Sequence, residues 1–255
     1  LSAAALALGW TLDLRDLGTL VPGAAGSVQG RGEVAGPPGA PELTGQLTGR
    51  ADLLRAFLSD APLDGALAAD FRLTGTPGGL AGSVRARAEG LRLTEGAGRS
   101  LPPASVQLTA EVGPAGTDVE ARAEAGSGAR LGLTGRIGGI PTSGPATLDL
   151  RADGRLDFTL LDPLLTGSGR RLTGQAVLDG RVTGTLAAPA LAGSLGIAEG
   201  GYWDRSVGLA LTEIQGRLGL AGETLRVEQL GARAGPGTLA LQGDVGLLAT
   251  GLPVD

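Results

Sequence analysis

Hydrophobic and polar residues alternate with a period of two along most of the chain. The pattern is cleanest over residues 172–186, where Leu, Val, Ala and Gly occupy one parity, and charged residues, Thr and Gln occupy the other apart from Val177. This period is typical of a half-buried β-strand, so the stretch predicts one long strand, or two strands that bend at Gly180. The same period predicts strands over residues 63–73, 106–112, 119–125, 131–137, 148–152, 156–160, 191–197 and 239–247, and the apolar residues 1–10 are also interpreted as a strand.

A turn followed by a new strand occurs three times in the sequence. The copies lie at residues 36–47, 75–84 and 180–195, and each has a Gly, then a Pro, then Leu-x-Gly-x-Leu or Leu-x-Gly-x-Val. The first Gly tolerates a positive φ, the Pro interrupts ladder pairing, and the last motif alternates across a new strand. The chain is therefore predicted to be a repeat of β-hairpins that extends along one axis.

Two short interruptions look helical. Asp52 could cap a turn that Pro62 ends, and Asp162-Pro163 followed by Gly167 has the cap, start and end of a single turn. Gly235-x-Gly237-x-x-Ala240 matches a dinucleotide-binding fingerprint only superficially. Strand alternation continues where a helix should begin, so we interpret it as a hairpin turn.

Composition supports a sheet with a thin interior. The chain has 255 residues but only 2 Trp, 1 Tyr and 3 Phe, while its 47 Gly would weaken helices. All 21 basic residues are Arg, and the net charge of −5 with scattered Arg argues against a nucleic-acid partner. Because the sequence begins at Leu1 and has no Met, we expect an internal, continuous segment (residues 1–255) of a longer protein, with any membrane anchor outside it.

Catalytic motifs are missing. Without Lys there is no Walker-type phosphate loop, and without His and Cys there are no Ser-His or Cys-His nucleophiles. Asp149, Asp153 and Asp157 are four apart and lack the dense ligand spacing of a calcium loop, so a solvated face is favoured. We therefore predict no enzyme activity, no cofactor and no metal.

The remaining feature is the apolar parity of the strands. It could be the core of a sandwich, but a sheet of Leu, Val and Ala with few aromatic residues could instead curl around a trough that holds lipid tails. By parity, the predicted lining residues of this groove are Leu178, Val182, Leu186, Leu195, Ile197, Leu209, Leu211, Leu218, Leu220, Leu225, Val227, Leu239, Leu241 and Val245.

A series of motifs over about residues 153–247 resembles the C-terminal region of TamB-like proteins, in the AsmA-like superfamily of bridge-like lipid transfer proteins. The motifs include Leu161-Asp-Pro-Leu-Leu, Arg171-Leu-Thr-Gly174, Gly184-Thr-Leu-Ala-Ala-Pro189 and Leu209-Ala-Leu-Thr-Glu-Ile214. The resemblance implies an elongated, curled sheet called a β-taco, with a hydrophobic groove. It also implies an inner-membrane anchor, a periplasmic body, an outer-membrane barrel partner of the BamA type, phospholipid transfer between the two membranes, and assistance to outer-membrane assembly.

The leading hypothesis is thus an all-β lipid conduit segment in the periplasm, whose partners are phospholipid acyl chains. A chaperone-like module that pairs its sheet edges with nascent barrel strands is an alternative. A structural β-repeat stalk with a dry core is a third. An outer-membrane barrel is a fourth, disfavoured by the near absence of aromatic girdles.

Overall fold

The computed structural model describes residues 6–15, 27–50, 63–76, 79–139, 146–222 and 224–246. These residues form one antiparallel sheet of 14 strands. The strands are β1 (Leu6–Leu14), β2 (Val28–Gly36), β3 (Glu42–Arg50), β4 (Leu63–Thr74), β5 (Ala81–Leu93), β6 (Ala104–Gly113), β7 (Gly116–Ala125), β8 (Ala129–Gly138), β9 (Thr147–Asp157), β10 (Arg170–Thr185), β11 (Ala188–Asp204), β12 (Leu209–Ala221), β13 (Thr224–Ala234) and β14 (Gly237–Gly246). One helix, α1 (Asp162–Leu165), and the 3₁₀ turns Ala97–Ser100, Phe158–Leu161 and Thr166–Ser168 complete the described elements.

The order of strands in the sheet is the order of strands in the sequence, from β1 to β14. Strands that are consecutive in the sequence are therefore neighbours in the sheet, as a repeat of β-hairpins predicts. The all-β class and the antiparallel sheet are confirmed. The curl, the elongation and the groove stay predictions.

Residues 172–185 of the long alternating stretch lie in one strand, β10, rather than in two strands bent at Gly180, and Leu186 follows in a turn. The strand predicted over residues 156–160 is wrong beyond Asp157, because Leu156 and Asp157 continue β9 whereas residues 158–160 lie in a 3₁₀ turn. β9 ends at Asp157, whose carboxylate accepts a hydrogen bond from the Thr159 backbone N–H at 2.9 Å and so caps a 3₁₀ turn. The Thr159 hydroxyl and backbone bonds also lower the pKa of Asp157.

The helical turn at Asp162 is confirmed as α1, although Asp162 lies inside the helix instead of capping it. Gly235 and Pro236 form the turn between β13 and β14, which confirms a hairpin at the Gly235 motif. The turn predicted at Asp52 and residue Leu247 lie outside the described residues.

The recurring turns share a backbone conformation. Gly36, Gly75 and Gly184 have φ values of 98°, 107° and 89°, and each lies within one residue of the end of the strand that precedes its turn. Residues with a Cβ rarely adopt such angles, so glycine at this position is a steric requirement of the hairpin. The sequence motif is therefore a repeated structural unit.

Contacts divide the chain into two compact units. Unit 1 comprises residues 1–99, 103–123 and 135–146, and unit 2 comprises residues 100–102, 124–134 and 147–255. Unit 1 therefore contains β1 to β6, and unit 2 contains β9 to β14. That the chain is one continuous β-taco segment stays a prediction.

In unit 1, aromatic rings lie over glycines in a single cross-strand row. Trp10, Gly32, Gly45 and Phe71 are successive Cα partners on β1 to β4 and share one face of the sheet. The two rings are stacked, with centroids 6.0 Å apart and planes inclined by 18°. A Cβ at Gly45 would collide with both rings, so the glycines make room for aromatic packing across the sheet.

Little apolar surface is enclosed. No described side chain is fully buried, and the most buried hydrophobic residues are Ala88, Ala110, Leu148, Leu150, Ala176 and Leu218. This agrees with the thin interior that the scarcity of aromatic residues predicts.

Candidate functional site: the apolar face of unit 2

One face of β9 to β14 carries apolar residues in rows that run across the strands. The central row joins Leu178, Leu195, Leu218 and Val227, which are successive Cα partners on β10 to β13. Direct cross-strand partners point to the same side of a sheet. We call this side the apolar face, and it extends on β9 to Leu150, the partner of Val182.

Two β-bulges keep leucines of opposite sequence parity on this one face. In β12, pairing shifts between Thr212 and Gln215, around Glu213, and in β11 it shifts between Ile197 and Gly200, around Glu199. Both glutamates have a positive φ, 51° and 53°. An extra residue reverses which side the following side chains occupy, so odd-numbered Leu209 and even-numbered Leu218 share the apolar face.

The register brings the other predicted lining residues of the groove to the same face, with one exception. Leu186 lies in the turn between β10 and β11, 68% exposed, and is outside the sheet. Parity counting failed there because β10 ends at Thr185. The remaining residues of the prediction are placed by their Cα partners, with the partner after each: Ile197 with Ala176, Leu211 with Tyr202, Leu220 with Leu225, Leu225 with Val245, Leu239 with Ala232, and Leu241 with Leu230.

The face also contains residues that the sequence prediction left out. They are Leu148, Leu150, Leu156, Ala176, Leu191, Ile214 and Leu230, each aligned with a residue of the apolar face or its glycines. The alternation in β9 and β11 was a usable signal for four of them. Leu230 had no such signal, because pairing shifts between Val227 and Leu230 and changes the parity.

Exposure varies across the apolar face. Leu150 and Leu218 are 6% and 7% exposed, whereas Leu191 is 41%, Leu209 is 40% and Leu241 is 48% exposed. The exposed leucines are on β11, β12 and β14, and their Cα partners are Val182, Asp204 and Leu230 respectively. Large side chains with this much open surface on one continuous face are typical of a binding surface.

Charged residues of unit 2 lie mostly on the opposite face. Arg181 pairs there with Asp149 at 2.7 Å, and Arg226 pairs with Asp244 at 2.9 Å. The Asp244 hydrogen bond raises the pKa of Arg226. These side chains are more than half exposed or close to it, and such pairs contribute only about 0–1 kcal/mol each. These exposed charged side chains make this face of the sheet polar and hydrated.

One ion pair lies on the apolar face, at the end where β10 begins, β11 ends and β12 begins. Asp204 is 6% exposed and accepts hydrogen bonds from Arg170 Nε at 3.0 Å, the Tyr202 hydroxyl at 3.3 Å and the Ser206 backbone N–H at 2.9 Å. The Ser206 hydroxyl also donates to Asp204. The Ser206 hydroxyl and then Arg170 lower the pKa of Asp204 to about 2. The sequence offered no signal for this cluster, because Arg170 is 34 residues away.

A cavity of about 600 Å³ lies at the same end of the strands. Its walls include Arg170, Arg171, Arg205, Trp203 and Leu209. Leu209, Asp204 and Arg170 belong to the apolar face, whereas Arg171, Trp203 and Ala210 are Cα partners in a row on the opposite, polar side of the sheet.

A second cavity, of about 960 Å³, lies in unit 1 and is lined largely by the polar side of β1 to β5. Arg31, Glu33, Asp70 and Arg85 contribute charges of both signs. Mixed charges on an open strand surface are typical of a solvated face.

Neither a metal site nor a membrane-spanning helix is found within the described ranges. No group of three or more Asp, Glu, His or Cys side chains there is arranged to hold an ion. No helix there combines the length and apolar character that crossing a membrane requires.

Comparison of the chain with protein-family models, curated proteins and solved structures gives no match. The fold and the site thus define a class only, an all-β protein built on one antiparallel sheet with an apolar face in unit 2. The resemblance to TamB-like proteins stays an expectation.

Proposed function

We propose that this chain is a lipid conduit segment whose apolar face in unit 2 holds acyl chains. The observation that carries the proposal is a set of half-exposed leucines on a single face of the sheet, namely Leu191, Leu209, Leu239 and Leu241. A dry sandwich core would enclose such side chains. Within the described residues no side chain is fully enclosed.

The energetics of this surface suit a smooth aliphatic ligand. Burial of each methylene stabilises binding by about 0.8 kcal/mol, so two acyl chains can be held without a specific hydrogen bond. Such a surface discriminates poorly between lipid chains. It provides a path along which a lipid can move, because no single position binds it tightly.

The wider setting of the proposal comes from the resemblance to TamB-like proteins. In that setting the segment lies in the periplasm, belongs to a longer protein anchored in the inner membrane, and moves phospholipid between inner and outer membranes in connection with outer-membrane assembly. The outer-membrane partner, a barrel protein of the BamA type, would bind regions outside this chain.

Neighbouring residues on opposite faces of β10 give a matched test. Val182 lies on the apolar face between Leu150 and Leu191, and Thr183, of nearly the same shape, lies on the polar face. We expect Val182→Arg to retain a cooperative thermal transition, because the long Arg stem can reach water from an open face. Its purified form should carry less phospholipid by native mass spectrometry.

Thr183→Arg is the control and should keep the parent's phospholipid occupancy. If the face were a closed core, Val182→Arg would bury an unpaired charge and unfold the domain at a cost of several kcal/mol. Unfolding of this variant, with no lipid detected in the parent, would contradict the conduit.

The strand order also favours a second candidate function, strand pairing with another chain. β1 and β14 are at the two ends of the described sheet and are 9 and 10 residues long. Edge strands of this length can add a further strand through backbone hydrogen bonds. A proline at alternate positions of β14 would then abolish crosslinking to an unfolded barrel protein, while Val182→Arg would not.

A further inference from the structure

The hairpin between β10 and β11 ends in an exposed, uncharged segment, residues 186–192, which we call the apolar tip. All seven of its residues are exposed, and all are Leu, Ala or Pro. Leu186 is 68% exposed and Leu191 is 41% exposed. The sequence has no charged residue between Arg181 and Glu199. An exposed apolar patch of this kind marks a surface that contacts a protein or a membrane.

The apolar tip lacks charged side chains on both sides of the sheet. On one side Leu191 is the Cα partner of Val182 and belongs to the apolar face. On the other side Ala190 is the partner of Thr183, so the polar side is uncharged at this position. Along the row of Leu150, Val182 and Leu191, the exposed fraction rises from 6% at Leu150 to 41% at Leu191. The apolar face therefore opens to solvent where it reaches the tip.

The backbone of the tip is poorly suited to pairing with a further strand. Pairing of β11 with β12 begins at Ala192, so within the described sheet residues 188–191 pair with β10 alone. The Leu191 carbonyl points to the open edge, because it accepts a hydrogen bond from the Gly222 N–H at 2.6 Å. Pro189 is two residues earlier, so its nitrogen points to the same edge, and that nitrogen has no hydrogen to donate. Proline at an edge disfavours strand addition, so the tip suits a partner that makes no backbone hydrogen bonds.

From these observations we infer that the apolar tip inserts Leu186 and Leu191 into the outer hydrocarbon of a lipid bilayer and forms a mouth between the bilayer and the apolar face. Bilayer hydrocarbon accepts aliphatic side chains and requires neither charge nor a backbone donor from them. Protein interfaces, by contrast, are enriched in aromatic residues and Arg, and the tip consists of Leu, Ala and Pro alone. The mouth rests on the proposed function, because lipids would pass through it onto the apolar face.

Labels at two exposed turns test the insertion. The chain has no Cys, so a single introduced cysteine can carry a fluorescent dye on the full chain. Leu186→Cys places the dye at the apolar tip, and Val207→Cys places it in the turn between β11 and β12, where Val207 is 72% exposed. The probe is a palmitoyloleoylphosphatidylcholine vesicle that contains phospholipid with a quencher on its acyl chain. We expect quenching at Leu186→Cys only, because the other turn also contains Arg205.

Two double variants of matched exposure test binding. Leu186→Gln with Leu191→Gln should lower the partition coefficient into vesicles of the same phospholipid by about tenfold or more, because two leucines no longer enter hydrocarbon. Val177→Gln with Val207→Gln removes two apolar side chains that are 45% and 72% exposed elsewhere in unit 2, and it should leave the coefficient unchanged. Pro189→Ala restores a backbone donor at the open edge and should also leave it unchanged, since hydrocarbon accepts no hydrogen bond.

Four results would count against the inference. Equal quenching of the two labels, or equal partitioning of the two glutamine variants, would overturn it. A parent that carries phospholipid by native mass spectrometry but does not bind vesicles would overturn it and leave the proposed function intact. A parent that binds vesicles through the tip but carries no phospholipid would contradict the mouth and the proposed function while keeping the insertion. A dimer that is lost in Leu186→Gln with Leu191→Gln, without vesicle binding by the parent, would assign the tip to a second copy of the chain.

Discussion

At the scale of single residues, Asp204 organises the end of the sheet where β10, β11 and β12 meet. Its carboxylate accepts hydrogen bonds from Arg170, Tyr202 and Ser206, and only 6% of the residue is exposed. A buried carboxylate with these partners is stabilised in its charged form. Its loss would leave Arg170 without its ion pair on the apolar face.

Asp204 therefore links stability to pH. Its pKa is about 2 in the folded chain and about 3.9 when unfolded. A lowered folded-state pKa stabilises the protein above about pH 4, and the stabilisation is lost as pH falls from about 4 towards 2. We expect Asp204→Asn to lower the Tm at neutral pH and the difference from the parent to shrink over this interval.

Asp149→Asn is the matched control, because Asp149 pairs with Arg181 in an exposed ion pair. It should change the Tm little at any pH. Thermal melts of the parent and the two variants between about pH 7 and about pH 2 cover the range in which carboxylates titrate. The Tm of each protein is compared across this range. A pH-independent effect of Asp204→Asn would contradict the linkage.

At the scale of elements, the bulges in β11 and β12 decide which side chains form the apolar face. Glu199 and Glu213 adopt a left-handed backbone conformation at these bulges. That conformation costs an L-residue about 1–2 kcal/mol relative to the right-handed region. The bulges thus carry a local cost, and without them Leu209 and Leu211 would face the polar side.

Substitution by glycine tests this account. Glu213→Gly should raise the free energy of unfolding by about 0.5–1 kcal/mol, because relief of the positive φ exceeds the added entropy of the unfolded chain. Its exposed pair with Arg233, at 3.6 Å, contributes little. Gln215→Gly, two residues away at an ordinary strand position, should lower the same free energy by about 0.5–1 kcal/mol. Urea denaturation measures both, and equal destabilisation would argue against strain at Glu213.

At the scale of the whole molecule, strands contact their neighbours in sequence and few others. Pairing runs from β1 to β2 and onward through the order of the sheet. When stability is a sum of such local terms, different parts of a chain can unfold separately. Trp10 belongs to unit 1 and Trp203 to unit 2, so each can report its own unit.

Single-tryptophan variants test this expectation. We expect Trp10→Phe, which reports unit 2, and Trp203→Phe, which reports unit 1, to show different midpoints of fluorescence change in urea. The circular dichroism of each variant should follow a broader transition than its fluorescence. Coincident fluorescence and circular dichroism curves in both variants would indicate two-state unfolding of the whole chain.

The sequence alone determined the all-β class, most strands and the recurring turns. These features depend on local causes, since a period of two follows from strand geometry and Gly36, Gly75 and Gly184 are required by backbone sterics. The same alternation identified most of the apolar face, including its central row of Leu178, Leu195 and Leu218.

Only the tertiary structure decided at which residues the alternation ends or switches from one parity to the other. Leu186 lies in a turn, Leu230 joins the apolar face through a shift in register, and Asp204 meets Arg170 from another strand. A bulge leaves one residue of a strand unpaired, and its position depends on how two strands pair with each other. The sequence of either strand alone therefore does not reveal it.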